Sequence, residues 1–160
     1  GCLREDVKTK PVNPYGIAKN RLRESVLELS KDFKFNYKWI RIFYIYGEGQ
    51  SKTSLFYQLD EAIKNKDKYF NMSGGEQLRD YLSIDEVTKY ISLIVDQNIY
   101  LNKVINCCSG KPISIKNLVK QHLKNKGCDM YLNLGYYSYR EFEPMSFWGD
   151  RSHLDTLLKS

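Results

Sequence analysis

The ten residues Tyr37-Lys38-Trp39-Ile40-Arg41-Ile42-Phe43-Tyr44-Ile45-Tyr46 constrain the fold more than any other stretch of the chain. Apart from Lys38 and Arg41, every position is aromatic or β-branched, and the run stops at Gly47-Glu48-Gly49. A run that is apolar on both of its alternating faces reads as a strand buried on both sides and closed by a turn. Such a strand needs partners. The chain offers shorter strand-like pieces at Tyr69 to Met72, Asp80 to Ile84, Lys103 to Cys108 and Tyr131 to Leu134.

Between these pieces lie stretches of helical period. From Tyr15 to about Lys31, the residues Ile17, Ala18, Leu22, Val26, Leu27 and Leu29 form an apolar stripe, with Asn13 suited to cap and Pro14 to the first helical position. Residues 54–66 give a second helix. Ser83 or Asp85 begins a third, running to about Gln97 through Val87, Ile91, Leu93, Ile94 and Val95. Ser114 caps a fourth through Ile115, Leu118, Val119 and Leu123, and Asp150 or Ser152 opens a short terminal helix with Leu154, Leu157 and Leu158. Residues 1–13 read as a loop punctuated by Pro11, and Ser73-Gly74-Gly75-Glu76 as a turn. Strands alternating with helices of this length predict an α/β architecture with some parallel pairing.

At 160 residues the chain is one domain's worth, long enough to bury a core. No run of about 18 apolar residues spans a membrane, and the polar start, Gly1 to Asp6, has no secretory h-region. Cys2, Cys107, Cys108 and Cys128 lack metal-ligand spacing, so no metal site is expected, and reduced thiols in a cytoplasmic protein are the reading they favour. The net charge of +6 is carried by lysines scattered through helical stretches, which argues for a solvated surface or an anionic small-molecule substrate and against nucleic acid.

One pair of residues suggests chemistry. In Pro14-Tyr15-Gly16-Ile17-Ala18-Lys19, a helix places Tyr15 and Lys19 on one face, a turn apart. An ammonium beside a phenol favours the phenolate, lowering a pKa that otherwise sits near ~10 and making Tyr15 a candidate proton donor and acceptor. With 13 tyrosines in 160 residues, such a pair arises by chance about once or twice, so its setting must carry the assignment. No G-x-G-x-x-G phosphate loop occurs anywhere in the chain.

Five blocks supply that setting. They are Asn13 to Lys19; Arg41-Ile42-Phe43-Tyr44-Ile45-Tyr46-Gly47-Glu48-Gly49-Gln50; Arg79-Asp80-Tyr81-Leu82-Ser83-Ile84-Asp85-Glu86-Val87; Asn106 to Ser114; and Arg140 to Asp150. In order and spacing they resemble the second half of an extended short-chain dehydrogenase/reductase, the nucleotide-sugar epimerase/dehydratase/reductase family. The resemblance implies the C-terminal half of an NAD(P)-binding Rossmann-type fold plus a small substrate-binding subdomain, without the N-terminal Gly-rich βαβ half. Residues 1–50 and 103–108 would be the Rossmann-side elements, and 51–102 and 109–160 mainly the substrate-binding subdomain.

The same resemblance implies roles. Tyr15 would exchange a proton with a sugar hydroxyl or ketone, and Lys19 would hold the nicotinamide ribose of NAD or NADP. Arg79 and Arg140 would grip the diphosphate of a nucleotide-diphosphate sugar, for which guanidinium forks are suited. Tyr44 replaces an Asn that contacts substrate in the family, and Phe147 with Trp148 would flank the sugar or the base. Glu48 stands where the family has Pro. The family's third catalytic residue, a Ser or Thr upstream of the Tyr, falls outside this chain, as does the dinucleotide loop. The chain by itself is therefore expected to bind NAD(P) poorly and to turn over little.

Within the family, Asn71 to Asp80 and Glu143 to Asp150 look most like NDP-4-keto-6-deoxyhexose reductases of surface polysaccharide biosynthesis, which would use NADPH. A 4-epimerase, a 4,6-dehydratase and a non-catalytic nucleotide-sugar binding module remain as alternatives. Homodimerisation through the helix carrying Tyr15 is a further implication.

Overall fold

The computed structural model describes residues 1–139, 141 and 143–159. In chain order the elements are β1 Cys2–Leu3, α1 Pro14–Phe33, β2 Lys38–Ile42, β3 Tyr44–Tyr46, α2 Leu55–Lys64, β4 Tyr69–Asn71, β5 Leu78–Arg79 and β6 Tyr81–Ser83. There follow α3 Ile84–Asp96, β7 Lys103–Cys107, β8 Ile113–Ser114, α4 Ile115–Asn125, β9 Tyr131–Asn133, β10 Trp148–Gly149 and α5 Ser152–Lys159. Four pairings are parallel, β1 with β10, β2 with β7, β3 with β6 and β4 with β9, while β5 and β8 pair antiparallel. The α/β architecture with parallel strands agrees with the alternating pattern.

The helix ends follow local chemistry. The Asn13 side chain accepts the Gly16 N–H at 2.7 Å, and Pro14 occupies the first turn, where it forfeits no intrahelical bond. Ser83 and Glu86 form a reciprocal capping box at the start of α3. At the other end of α3, Lys38 Nζ donates to the Ile94 and Gln97 carbonyls, a cation placed at the negative end of the helix.

The expected ten-residue strand is two strands. Its first part runs beside β7, in register from Lys38↔Lys103 to Ile42↔Cys107. At Phe43 the N–H still reaches Cys107 O, at 3.3 Å, but the Tyr44 N–H goes to Asp80 O at 3.1 Å. From there β3 runs beside β6. The expected strand at Asp80 to Ile84 is likewise shorter, with β5 and β6 on either side of Asp80. Residues 1–13 are not wholly loop, since β1 pairs with β10 and the Trp148 N–H donates to Gly1 O at 3.2 Å.

Three apolar clusters hold the chain together. One joins α2, α4 and β4 through Leu59, Phe70, Val119 and Leu123, with Leu132 of β9 packed against it. A second packs Ile94 of α3, Ile105 of β7 and Leu154 and Leu157 of α5, and a third packs Leu82, Val87 and Cys107. Helix α1 contributes no buried residue to any of them. Of its apolar residues, Ile17, Leu22, Leu29 and Phe33 are exposed, while Val26 and Leu27 are half-buried. Among the described residues no helix is long and apolar enough to cross a membrane.

Candidate active-site cleft

Because α1 starts at Pro14, Tyr15 falls in its first turn and Lys19 one turn later. The Lys19 Nζ lies 5.7 Å from the centroid of the Tyr15 ring, within cation–π range. The Tyr15 side chain is 73% exposed, so its hydroxyl is free to meet a ligand. Both residues line a cleft of about 840 Å³ between α1 and the outer face of β2 and β3. Trp39, Ile40, Ile42 and Phe43 form its apolar wall, Arg41 joins Lys19 as a cationic group while the Lys38 ammonium is held by the Ile94 and Gln97 carbonyls, and among the described residues no carboxylate lines it. That volume suits a small molecule, and the charge suits an anionic one.

Tyr44 and Phe147 line the same cleft. Four of the six residues expected at the site, Tyr15, Lys19, Tyr44 and Phe147, are thus brought together. A ring cluster continues from there. Tyr44 stacks on Tyr81 with centroids 5.0 Å apart, and Phe147 lies 5.9 Å from Tyr44 and 6.4 Å from Phe43. Burial, and then the neighbouring Tyr44, push the Tyr81 phenol up to about 12, so it remains a neutral donor.

Arg79 adjoins the cleft through Phe147, its Cζ lying 4.8 Å from the ring centroid. The arginine itself is buried at 2% exposure. Its Nη1 donates to Leu78 O at 2.9 Å and its Nη2 to Glu143 Oε1 at 2.7 Å. Arg140 lies outside the described residues.

Two supporting residues were not singled out by sequence. Asp80, fully buried, accepts three backbone N–H groups, from Ser109 at 2.7 Å, Gly110 at 3.0 Å and Gly149 at 3.1 Å. One carboxylate therefore ties the turn after β7 and the strand preceding α5 to the end of β5, and so carries Arg79 and Phe147 into one place. Glu143 is the partner of Arg79 from 64 residues away. Asp80 left a trace in the sequence, an acid inside a strand-like run, where an unpartnered charge would be costly. Glu143 left none, because a polar loop is where a solvated Glu is ordinary.

Gly149 allows the close approach this needs. A Cβ there would stand 2.5 Å from Cys108 Sγ and 2.9 Å from Phe43 Cε2. Cys107 and Cys108 are both buried, and burial pushes their thiols up to about 11 and about 12. No group of three or more His, Cys, Asp or Glu residues able to hold a metal ion occurs among the described residues.

Comparison with known proteins adds a common theme. A family model described as the NAD dependent epimerase/dehydratase family matches residues 3–108. The dTDP-6-deoxy-L-talose 4-dehydrogenase (NAD(+)) of Aggregatibacter actinomycetemcomitans is 30% identical over 152 residues, covering 93% of this chain and 55% of that protein. Among solved structures, the UDP-glucuronic acid 4-epimerase from Bacillus cereus, in complex with UDP-glucuronic acid and NAD, superposes with a TM-score of 0.83 at 26% identity. The match covers 99% of this chain and 50% of that one. A UDP-N-acetylglucosamine 4-epimerase from Methanobrevibacter ruminantium M1 shares the fold, with a TM-score of 0.85 at 24% identity over 97% of this chain and 50% of that one. The chain spans about half the length of the relatives it matches.

Proposed function

The chain belongs to the NAD dependent epimerase/dehydratase family, and from that premise we propose that it carries the acid/base pair and the sugar-nucleotide side of an NDP-4-keto-6-deoxyhexose reductase. The observation that carries this reading is the single cleft shared by Tyr15, Lys19, Tyr44 and Phe147. Tyr15 donates its phenolic proton to the C4 oxygen of the sugar as the ketone becomes a hydroxyl, and takes it back in the reverse direction. Lys19, one turn away, brings its ammonium to 5.7 Å from the centre of the same ring. The relative of 30% identity is named as a 4-dehydrogenase of a dTDP-6-deoxy sugar, which is the same C4 oxidoreduction written in the opposite direction.

The residues present fit the nicotinamide end of NAD or NADP. The cleft offers an apolar wall for a flat ring beside a hydroxyl and an ammonium for its ribose, and among the described residues no lining carboxylate repels a phosphate. When bound, the dinucleotide supplies the hydride. Lys19 and Tyr15 orient it, while Ile40, Ile42 and Phe43 keep water from that side of the reacting atoms. Arg79 lies beyond Phe147, where a guanidinium meets the diphosphate of the nucleotide sugar once its edge is free. The exposed stripe Ile17, Leu22 and Leu29 of α1 supports pairing of two copies through this helix. The buried, poorly ionised Cys107 and Cys108 are suited to the reducing cytoplasm.

The test is an assay of the complete product of the gene encoding this chain, with NADPH or NADH and an NDP-4-keto-6-deoxy sugar. A reductase consumes the reduced cofactor one-for-one with sugar, whereas an epimerase or dehydratase returns it, and that outcome would transfer the site to one of those reactions. Tyr15→Phe should retain sugar-nucleotide binding and lose on the order of 100-fold or more in rate. An unchanged rate would make the chain a non-catalytic nucleotide-sugar binding module.

A further inference from the structure

Arg79 holds a carboxylate in the place where a phosphate is needed. Its side chain is 3% exposed, and the Glu143 carboxylate that pairs with it at 2.7 Å is 27% exposed. Glu143 thus lies between the guanidinium and solvent. Among the described residues, two further groups meet the guanidinium. The Phe147 ring covers it at 4.8 Å, and Leu78 O takes Nη1. The covering segment is itself tied down on both sides of Leu78, with the Leu78 N–H donating to Met145 O at 2.9 Å and the Phe147 N–H to Leu78 O at 3.3 Å. The side chain of Glu143 can swing out without breaking any of these backbone hydrogen bonds.

From this we infer that Glu143 is an internal stand-in for the ligand's phosphate, and that it sets which anions Arg79 accepts. The inference rests on the reading that Arg79 meets the diphosphate of a nucleotide sugar. The carboxylate keeps the guanidinium oriented and its buried charge compensated while the site is empty. An incoming anion takes the Nη2 edge only by displacing a tethered competitor. A monoanion or a free carboxylate offers Arg79 no more than Glu143 already supplies, so it gains nothing from the exchange. A diphosphate brings more charge and can engage the fork bidentately, so it wins. Glu143 is therefore a positioning residue for Arg79 and the source of selectivity for diphosphates over smaller anions.

The test uses inorganic pyrophosphate, inorganic phosphate and acetate as probes in calorimetric titrations of the chain and of the variants Glu143→Gln and Arg79→Lys. In the unsubstituted chain pyrophosphate binds at least about tenfold tighter than phosphate, and acetate does not compete. Glu143→Gln keeps an acceptor for Nη2 but removes the charge, so phosphate binding tightens about tenfold, the preference for pyrophosphate shrinks, and acetate begins to compete. A merely structural role for Glu143 would instead weaken both anions together. If Glu143→Gln leaves the preference unchanged or weakens both anions while Arg79→Lys still abolishes binding, the exchange is overturned and the diphosphate reading stands. If no probe binds in an Arg79-dependent way, both fall. The unsubstituted chain provides an arm that needs no variant to fold, since equal affinity for phosphate and pyrophosphate there would by itself overturn the inference.

Discussion

The Lys19 ammonium sits 5.7 Å from the centre of the Tyr15 ring, within cation–π range, and both residues line the cleft. Under the function proposed above, Tyr15 would handle the proton and Lys19 charge and position. Removing the charge should act on both binding and rate. Lys19→Ala in the complete gene product is expected to lower kcat/KM on the order of 100-fold, with part of the loss appearing as a raised KM for the dinucleotide. Lys19→Arg should recover only part of it, because a planar fork does not occupy the place of a compact ammonium. Steady-state kinetics against varied cofactor check this, and an unchanged cofactor KM in Lys19→Ala would remove the ribose-holding role.

Asp80 governs stability rather than chemistry. Its carboxylate answers the N–H groups of Ser109, Gly110 and Gly149 in a fully buried position. Asp80→Ala strands three buried donors and is expected to cost about 3 kcal/mol or more. Asp80→Asn keeps one acceptor oxygen but turns an amide NH2 toward a donor, for a loss of about 2 kcal/mol. Urea unfolding followed by circular dichroism gives both values. A loss below 1 kcal/mol for Asp80→Ala, on the scale of an ordinary surface change, would mean that the three amides find other acceptors.

How legible this was depended on distance along the chain. Tyr15, Lys19 and the Asn13 cap were readable because their relation is one helical turn, and the same holds for the Ser83 and Glu86 box. The division of residues 37–46 was not readable. Nothing in that run marks a break at Phe43, and the exchange of partner there is decided by Cys107 and Asp80, both remote in sequence. Arg79 reads in the sequence as a candidate phosphate-binding arginine, and the acids nearest to it in the chain are Asp80 and Asp85. The structure gives Asp80 to backbone amides and Glu143 to the arginine. The apolar stripe on α1 does not say what covers it, and among the described residues no α1 side chain is fully buried.

Gly149 is required for its lack of a side chain. A methyl group there would meet Cys108 Sγ at 2.5 Å, Cys108 Cβ at 2.7 Å and Phe43 Cε2 at 2.9 Å. None of these is the loose end of an exposed side chain, because Cys108 is fully buried and Phe43 packs on Phe147. Gly149→Ala is therefore expected to destabilise the chain by about 1–3 kcal/mol. It should also move Phe147, visible as a changed ring-current shift of the Tyr44 and Phe147 signals in an NMR spectrum. Stability and ring shifts equal to those of the unsubstituted chain would show that the strand before α5 can give way freely.

The buried thiols predict a loss of stability in alkali. Burial raises Cys107 from 9.0 to about 11 and Cys108 from 9.0 to about 12, so between those values and 9 the unfolded chain releases thiol protons that the folded chain retains. Folded pKa values above the unfolded ones give stability that is complete below pH 9 and declines as the pH rises through the folded values. Tyr81, raised from 10.0 to about 12, adds to the same decline. Urea midpoints should therefore fall steadily from pH 9 upward, and replacing both cysteines by Ala should flatten that slope while lowering the plateau through lost packing. At pH 8, iodoacetamide should label exposed Cys2 within minutes and spare Cys107 and Cys108 until denaturant is added. Rapid labelling of either buried cysteine in the native chain, or an alkaline slope unchanged in the double variant, would mean that β7 opens locally and that its thiols do not titrate with global unfolding.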